Sequence, residues 1–270
     1  MPLAIQGFHD PVTGTVSYVV ADPATQQAAV IDPVLDFDLQ SGRITTHSAD
    51  ALLAHLRHEG LSLQWILETH VHADHVSAAR HLQAQAGGQI AIGEHIRDVQ
   101  AVFARRFQLG DHFPVDGSQF NRLLRDGEPF MLGAVKATAL LVPGHTPADL
   151  AYQIEDAVFV GDTLFMPDQG SARADFPGGD AAQLYRSMQR LLNLPATTRL
   201  FVCHDYPHGR QAHWQTTVAE QRAHNIHVHD GIGEAEFVEM RRKRDASLSA
   251  PVLMLPALRA NIQGGGLPAP

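Results

Sequence analysis

The chain has 270 residues, 44% hydrophobic and 18% charged, which is long enough to bury a large core and has the make-up of a globular protein. A net charge of −9 argues against a nucleic-acid surface, because neutralising phosphates takes clustered basic side chains. No apolar run approaches the ~20 residues of a membrane span, the first residues lack the pattern of a secretory or organellar leader, and the one cysteine permits no internal disulfide, so a cytoplasmic protein without a membrane partner is expected.

In chain order, residues 1 to about 35 read as strands, Gly14–Asp22 and Ala28–Pro33 among them, joined by a turn at Asp22-Pro23-Ala24-Thr25. Ser48 is placed to cap a helix from Ala49 to His58 that stops at Gly60. The apolar stretch Trp65-Ile66-Leu67 reads as a strand and Val76–Leu82 as helix-like. Glu94–Asp111 carries Ile96, Val99, Val102 and Phe103 at helical spacing, and Pro114, Gly117 and Gly127 then mark a long loop, a candidate rim or oligomer contact. Ala181–Leu192 is an amphipathic helix with Leu184, Tyr185, Met188, Leu191 and Leu192 on its apolar side. A helical extension over about 211–260 follows, and Gly264–Pro270 reads as a loose tail. No internal repeat has a usable signature, and the order of elements suits a single α/β domain of two βα-type halves.

Between Trp65-Ile66-Leu67 and Val76 lies Thr69-His70-Val71-His72-Ala73-Asp74-His75, three imidazoles and a carboxylate in six consecutive residues. A lone His-x-His arises by chance in a chain with 17 His, but the same context recurs. Ala139–Val142 runs into Pro143-Gly144-His145-Thr146, Ala157–Val160 into Gly161-Asp162-Thr163, and Leu200–Cys203 into His204-Asp205-Tyr206. Continuous apolar runs are the mark of strands buried on both faces, and the ends of such strands can present functional side chains on a rigid scaffold. His70, His72, Asp74, His75, His145, Asp162 and His204 are all nitrogen or oxygen donors, which suits zinc, iron or manganese over a thiolate-bound metal. Seven donors could hold two adjacent metals, or a smaller number could hold one.

Taken together these motifs resemble those of the metallo-β-lactamase superfamily, whose His-x-His-x-Asp-His, Gly-His-Thr, Gly-Asp and final His occur here in order over nearly the whole chain. The resemblance implies a four-layer αββα sandwich. Within that superfamily the chain is more similar to persulfide dioxygenases (sulfur dioxygenases) than to glyoxalase II. Ser171-Ala172-Arg173-Ala174-Asp175-Phe176 resembles their Gly-Arg-Thr-Asp-Phe, His204-Asp205-Tyr206 their His-Asp-Tyr, and Thr217–Asn225 their Thr-Val-x-Glu-Glu-Arg-x-x-Asn.

The resemblance implies one ferrous iron per chain held by His70, His145 and Asp162. His72, Asp74, His75 and His204 would form the hydrogen-bonding groups around it, or else a second metal site. It also implies a substrate such as glutathione persulfide, with glutathione as the sulfur carrier, oxidised by O2 to sulfite and thiol. Asp74, His75, His204 and Tyr206 are then the catalytic candidates beside the metal. Arg173 is the candidate for a carboxylate of the carrier, with a staple to Asp175 as its plainer role. A dinuclear zinc hydrolase of glutathione thioesters, and an iron-binding sensor without turnover, are the other readings. Assembly as a homodimer or homotetramer is compatible with the sequence. Three further features are expected to be structural: Cys203, buried by strand alternation next to His204; His227-Val228-His229-Asp230, a polar surface strand or loop; and Arg241-Arg242-Lys243-Arg244, a solvated face.

Overall fold

The computed structural model describes residues 2–266. In chain order its elements are β1 (Ala4–His9), β2 (Val16–Asp22), β3 (Gln27–Ile31), β4 (Val34–Asp38), β5 (Arg43–Thr45), α1 (His47–His58), β6 (Ser62–Leu67), β7 (Val76–Ser77), α2 (Ala79–Ala86), β8 (Gln89–Gly93), α3 (Ile96–Arg106), β9 (Arg122–Leu124) and β10 (Pro129–Leu132). They continue as β11 (Val135–Leu141), β12 (Leu150–Ile154), β13 (Ala157–Phe159), α4 (Ala181–Leu192), β14 (Arg199–Phe201), β15 (Gln215–Thr217), α5 (Val218–His224), α6 (Glu234–Asp245) and α7 (Met254–Asn261). The chain forms two compact units, one from the residues up to Leu124, Phe130–Lys136 and the segment from Ala250 onward, the other from Arg125–Pro129 and Ala137–Ser249.

In the first unit the strand order is β1-β2-β3-β6-β8-β9. β1, β2 and β3 are antiparallel neighbours joined by tight turns, and the Asp22–Thr25 turn forms as expected, with Asp22 accepting from the Ala24 N–H and the Thr25 hydroxyl. β3, β6, β8 and β9 run parallel, which requires a crossover between successive strands. α2 provides one of them and packs on β6 and β8. The strands of this parallel set are buried apolar runs, Ile66-Leu67 and Ile90-Ala91-Ile92 among them. α1 buries Ala49, Leu52, Leu53 and Leu56, the single stripe its sequence spacing predicts. A small sheet, β5-β4-β7, completes this unit.

In the second unit β11, β12, β13, β14 and β15 lie side by side in chain order, antiparallel except for the parallel pair β13–β14. α4 supplies Leu184, Met188, Leu191 and Leu192 to a core shared with Val158, Val160, Leu200, Val202, Val218 and Phe237. Asp180 caps α4 by accepting from the Gln183 N–H, and Thr217 with Glu220 forms a reciprocal capping box on α5.

Several expectations shift. α1 starts at His47, and Ser48 does not cap it; its hydroxyl and N–H both donate to the Asp36 carboxylate. Val76–Leu82 is split, because Val76 and Ser77 pair with β4 before α2 begins. The helix expected over 94–111 is trimmed to α3, on which Ile96, Val99 and Phe103 are buried while Val102 is exposed. The long loop after it contains β9, whose three residues are too few to show a strand pattern in sequence. The helical extension divides, with α5 and α6 in the second unit and α7 in the first. Of the tail, Leu267–Pro270 lies outside the described residues. Gly264 and Gly265 are buried, and their N–H groups bond to the carbonyls of Asn261 and Ala260. Gly265 sits where a Cβ would come within 2.3 Å of the Ser77 carbonyl oxygen, so a side chain has no room there.

The reason for that close packing is Asn261. Its Oδ1 accepts from the Ser77 N–H at 2.8 Å, and its Nδ2 donates to the carbonyls of His72 at 2.9 Å and His75 at 2.8 Å. A residue at the end of α7 therefore closes both ends of the His72–Ser77 loop. Replacing Asn261 by Ala leaves three buried backbone groups without their partner. The expected loss is roughly 2–4 kcal/mol, read as a lower urea midpoint at unchanged slope. A loss below about 0.5 kcal/mol would show that the clamp is replaced by solvent.

Candidate metal centre

In the first unit the cluster begins where β6 ends. Asp32, just past β3, has φ +48°, and its carboxylate accepts from the Thr69 N–H at 2.7 Å and the Thr69 hydroxyl at 2.9 Å. With Asp32 ionised, the hydroxyl gives its only proton to that carboxylate and accepts from His70 Nδ1, 3.0 Å away. This fixes His70 as the Nδ1–H tautomer and leaves Nε2 as its lone-pair nitrogen. His75 is set in the same way, since its Nδ1 lies 3.1 Å from Asp74 Oδ2, an acceptor only. Its Nε2 is buried with no hydrogen-bond partner among the described residues. His72 Nε2 is 3.0 Å from Asp32 and 3.8 Å from Glu68, which also accepts from the Ser77 hydroxyl. Burial pushes both carboxyls upward, Glu68 well above its ordinary value with the Asp32 charge adding to it. The rings of His70 and His72 lie 4.0 Å apart, and those of His72 and His75 4.3 Å apart. His72, Asp74 and His75 present donor atoms close enough to share one ion.

The second unit carries its own group at the ends of β11, β13 and β14. Gly144, at φ +143°, passes so close to α4 that a Cβ would meet the Leu184 backbone nitrogen at 2.2 Å, which is why a glycine precedes His145. His145 Nδ1 lies 2.8 Å from the Arg173 carbonyl, which can only accept, so the ring is again the Nδ1–H tautomer with Nε2 as its lone pair. That lone pair faces Asp162 Oδ2 at 3.6 Å, and His204 Nε2 lies 3.3 Å from Asp162 Oδ1. Oδ1 accepts no hydrogen bond among the described residues although it is buried. An imidazole lone pair facing a carboxylate oxygen is repulsive unless a cation lies between them, so the donor set fits a metal ion. Thr146, next to His145, is held by Asp149, whose carboxyl is pushed up to about 7 by burial.

Tyr206 is exposed and stacks on His204, with ring planes 5° apart and 5.6 Å between centroids. Arg173 is stapled to Asp175 by two bonds of 2.6 and 2.8 Å, donates to the Ser249 carbonyl at 2.7 Å, and lies over Phe176. No motif in the chain marks Asp32, Glu68 or Asp149 as supporting groups. Asp205 is buried and accepts from both Arg210 Nη atoms, the His213 N–H and Gln169. The signal available for Asp32 was its position at a strand end directly before proline, beside the strand that bears the histidines.

Two expectations about the remaining polar runs are corrected. Arg241 is not part of a solvated face. It is 2% exposed and bonded to Asp245, and Arg242, Lys243 and Arg244 alone face outward. His227 is not on the surface either. It is buried, and its Nδ1 accepts from the Ser171 N–H at 3.0 Å. Cys203 is buried, as expected, but it lies past the end of β14, so strand alternation does not set its direction. Among the described residues no helix is long and apolar enough to cross a membrane.

The metallo-beta-lactamase superfamily matches residues 10–204. A probable metallo-hydrolase of Burkholderia pseudomallei (strain 1710b) is 50% identical over 99% of this chain and 95% of its own length. The human mitochondrial persulfide dioxygenase ETHE1 is 29% identical over 83% of this chain and 75% of its own. The crystal structure of ETHE1 from Myxococcus xanthus aligns with a TM-score of 0.78 at 30% identity, covering 97% of this chain and 99% of that one. The mixed α/β architecture is that of these proteins, in agreement with the sequence.

Burial of His227, with the Arg241 guanidinium near it, pushes its ring down to about 4. The folded chain thus keeps this imidazole neutral over a range where the unfolded chain protonates it. Stability from this group is present above pH ~6.5 and is lost as pH falls toward ~4, because the unfolded state then binds the extra proton. His227→Asn keeps an acceptor near Nδ1 without a titrating ring, and is expected to flatten the fall in melting temperature between pH 6.5 and 4. An unchanged slope in the variant would remove His227 as its source.

Proposed function

The chain belongs to the metallo-β-lactamase superfamily, and we propose that it is a mononuclear non-haem iron dioxygenase acting on glutathione persulfide or a similar low-molecular-weight persulfide. The observation that carries this reading is the nearly end-to-end likeness to ETHE1 of Myxococcus xanthus, since human ETHE1 is named a persulfide dioxygenase. The donor set supports it. His70, His145 and Asp162 would hold the ion as two imidazoles and one carboxylate, and both imidazoles are oriented by a contact at Nδ1. A ferrous ion so held supplies the redox chemistry with O2. Both oxygen atoms of O2 and one of water end in sulfite, the sulfur–sulfur bond breaks, the thiol is released and two protons leave. His72, Asp74, His75 and His204 would orient substrate and move protons around the ion, with Tyr206 donating a hydrogen bond to the reacting group. Three of the five Arg173 N–H groups are engaged, which leaves two to grip a carboxylate of the carrier.

A second reading is a dinuclear zinc hydrolase of glutathione thioesters. It is favoured by the name of the Burkholderia relative and by the further donors His72, Asp74 and His75 in one unit and His204 beside Asp162 in the other. Metal content per chain after anaerobic purification, measured with oxygen uptake on glutathione persulfide and hydrolysis of an acyl-glutathione, decides between them.

For the dioxygenase, His70→Ala, His145→Ala and Asp162→Ala each lose iron and turnover. His204→Ala keeps close to one iron per chain and turns over about 10- to 100-fold more slowly. Two zinc ions per wild-type chain, one of them lost in His204→Ala, would replace this mechanism with the hydrolase.

Arg173→Ala is expected to leave iron content unchanged and to raise KM for glutathione persulfide roughly ten- to a hundred-fold, the worth of one charge-assisted contact. Normal KM in a folded variant would reduce Arg173 to a staple for Asp175.

A further inference from the structure

The segment between β13 and α4 has little backbone pairing of its own, so its polar groups need partners from elsewhere. Five come from buried side chains of a single later stretch. Gln221 donates to the Phe165 carbonyl, Asn225 to the Gly170 carbonyl, and Arg241 to the Ser171 carbonyl, while His227 and Asp245 accept from the N–H groups of Ser171 and Ala174. One of these contacts differs from the rest. The peptide group between Arg173 and Ala174 gives its N–H to Asp245 Oδ2 at 3.0 Å, and its carbonyl accepts from His145 Nδ1 at 2.8 Å. Peptide groups are planar, so the two contacts are rigidly coupled. Asp245 Oδ1 is in turn held by Arg241 Nε at 2.8 Å and Nη2 at 2.7 Å, on side chains only 2% and 6% exposed.

We propose that Asp245 and Arg241 are positioning residues for His145, acting through the 173–174 peptide group to fix its ring as the Nδ1–H tautomer with Nε2 directed at Asp162. The carboxylate sets the tilt of the peptide plane and, by accepting from its N–H, makes its carbonyl a stronger acceptor for the imidazole. A histidine ligand whose far nitrogen donates to such an acceptor is both oriented and more basic. Arg241 does for Asp245 what Asp245 does for the peptide, since a buried carboxylate without a cation would be costly to keep charged.

The inference rests on the proposed metal role of His145 only in its affinity arm. The first measurement needs no metal: long-range proton–nitrogen spectra of histidine-labelled, metal-free protein, with His145→Gln identifying the ring. Wild-type His145 is expected on Nδ1–H, and a ring protonated on Nε2 would overturn the proposal whatever the variants do. In Asp245→Asn the amide has one oxygen for two sets of donors, so either Arg241 or Ala174 faces an N–H, and the Nε2–H tautomer becomes populated. Arg241→Lys, which keeps a cation, is the milder variant and should shift the ring in the same direction. Asn225→Ala breaks the same segment at Gly170 and should lower stability while His145 keeps its tautomer. In the second measurement, competition with a chelator for Zn(II), Asp245→Asn should bind about 10- to 100-fold more weakly than wild type. A folded Asp245→Asn with an unchanged His145 ring and unchanged affinity would overturn the proposal. Failure of the dioxygenase reading would show separately, as absent oxygen uptake in a protein whose His145 ring still responds to position 245.

Discussion

A neutral imidazole has one donor nitrogen and one acceptor nitrogen, and much of this structure serves to decide which is which. His70 gives its Nδ1 proton to Thr69, His75 to Asp74 and His145 to the Arg173 carbonyl. In each case Nε2 then carries the lone pair of the ring. Buried acids stand behind these choices: Asp32 behind Thr69, and Asp245 behind the peptide that meets His145. Burying such acids is unfavourable unless their hydrogen-bonding capacity is filled, and the strands and caps around them are the means of filling it.

The two units solve this problem by different routes. In the first, the supporting acid lies on a neighbouring strand, and Asp32 reaches Thr69 because β3 and β6 are parallel neighbours. In the second, the support comes from helices that follow the sheet in sequence, and it reaches His145 through a backbone segment. The first arrangement depends on strand register, the second on helix packing, so they are open to disruption by different substitutions.

The strand-end positions of these histidines and aspartates were legible in the sequence because each sits where an apolar run stops. α4 was legible to the residue because its apolar side chains recur at helical spacing along its whole length. Asp32 and Asn261 were not, since what they do depends on partners 37 and 184 residues away. Arg241 was misread because its neighbours are cations. The correct signal was Phe237, Arg241 and Asp245 at intervals of four, which puts an opposite pair of charges on the same helix face as a core aromatic. Charge runs describe the average residue in them, and one member pointing the other way is visible only by its spacing.

The first unit is not continuous in the chain, because α7 and its Asn261 belong to it while residues 137–249 do not. During synthesis the entire second unit therefore leaves the ribosome before the residue that closes the His72–Ser77 loop. The histidine-rich loop must wait, with its backbone hydrated, through the production of more than a hundred further residues. The last helix of the chain is thus what completes a loop begun in its first third.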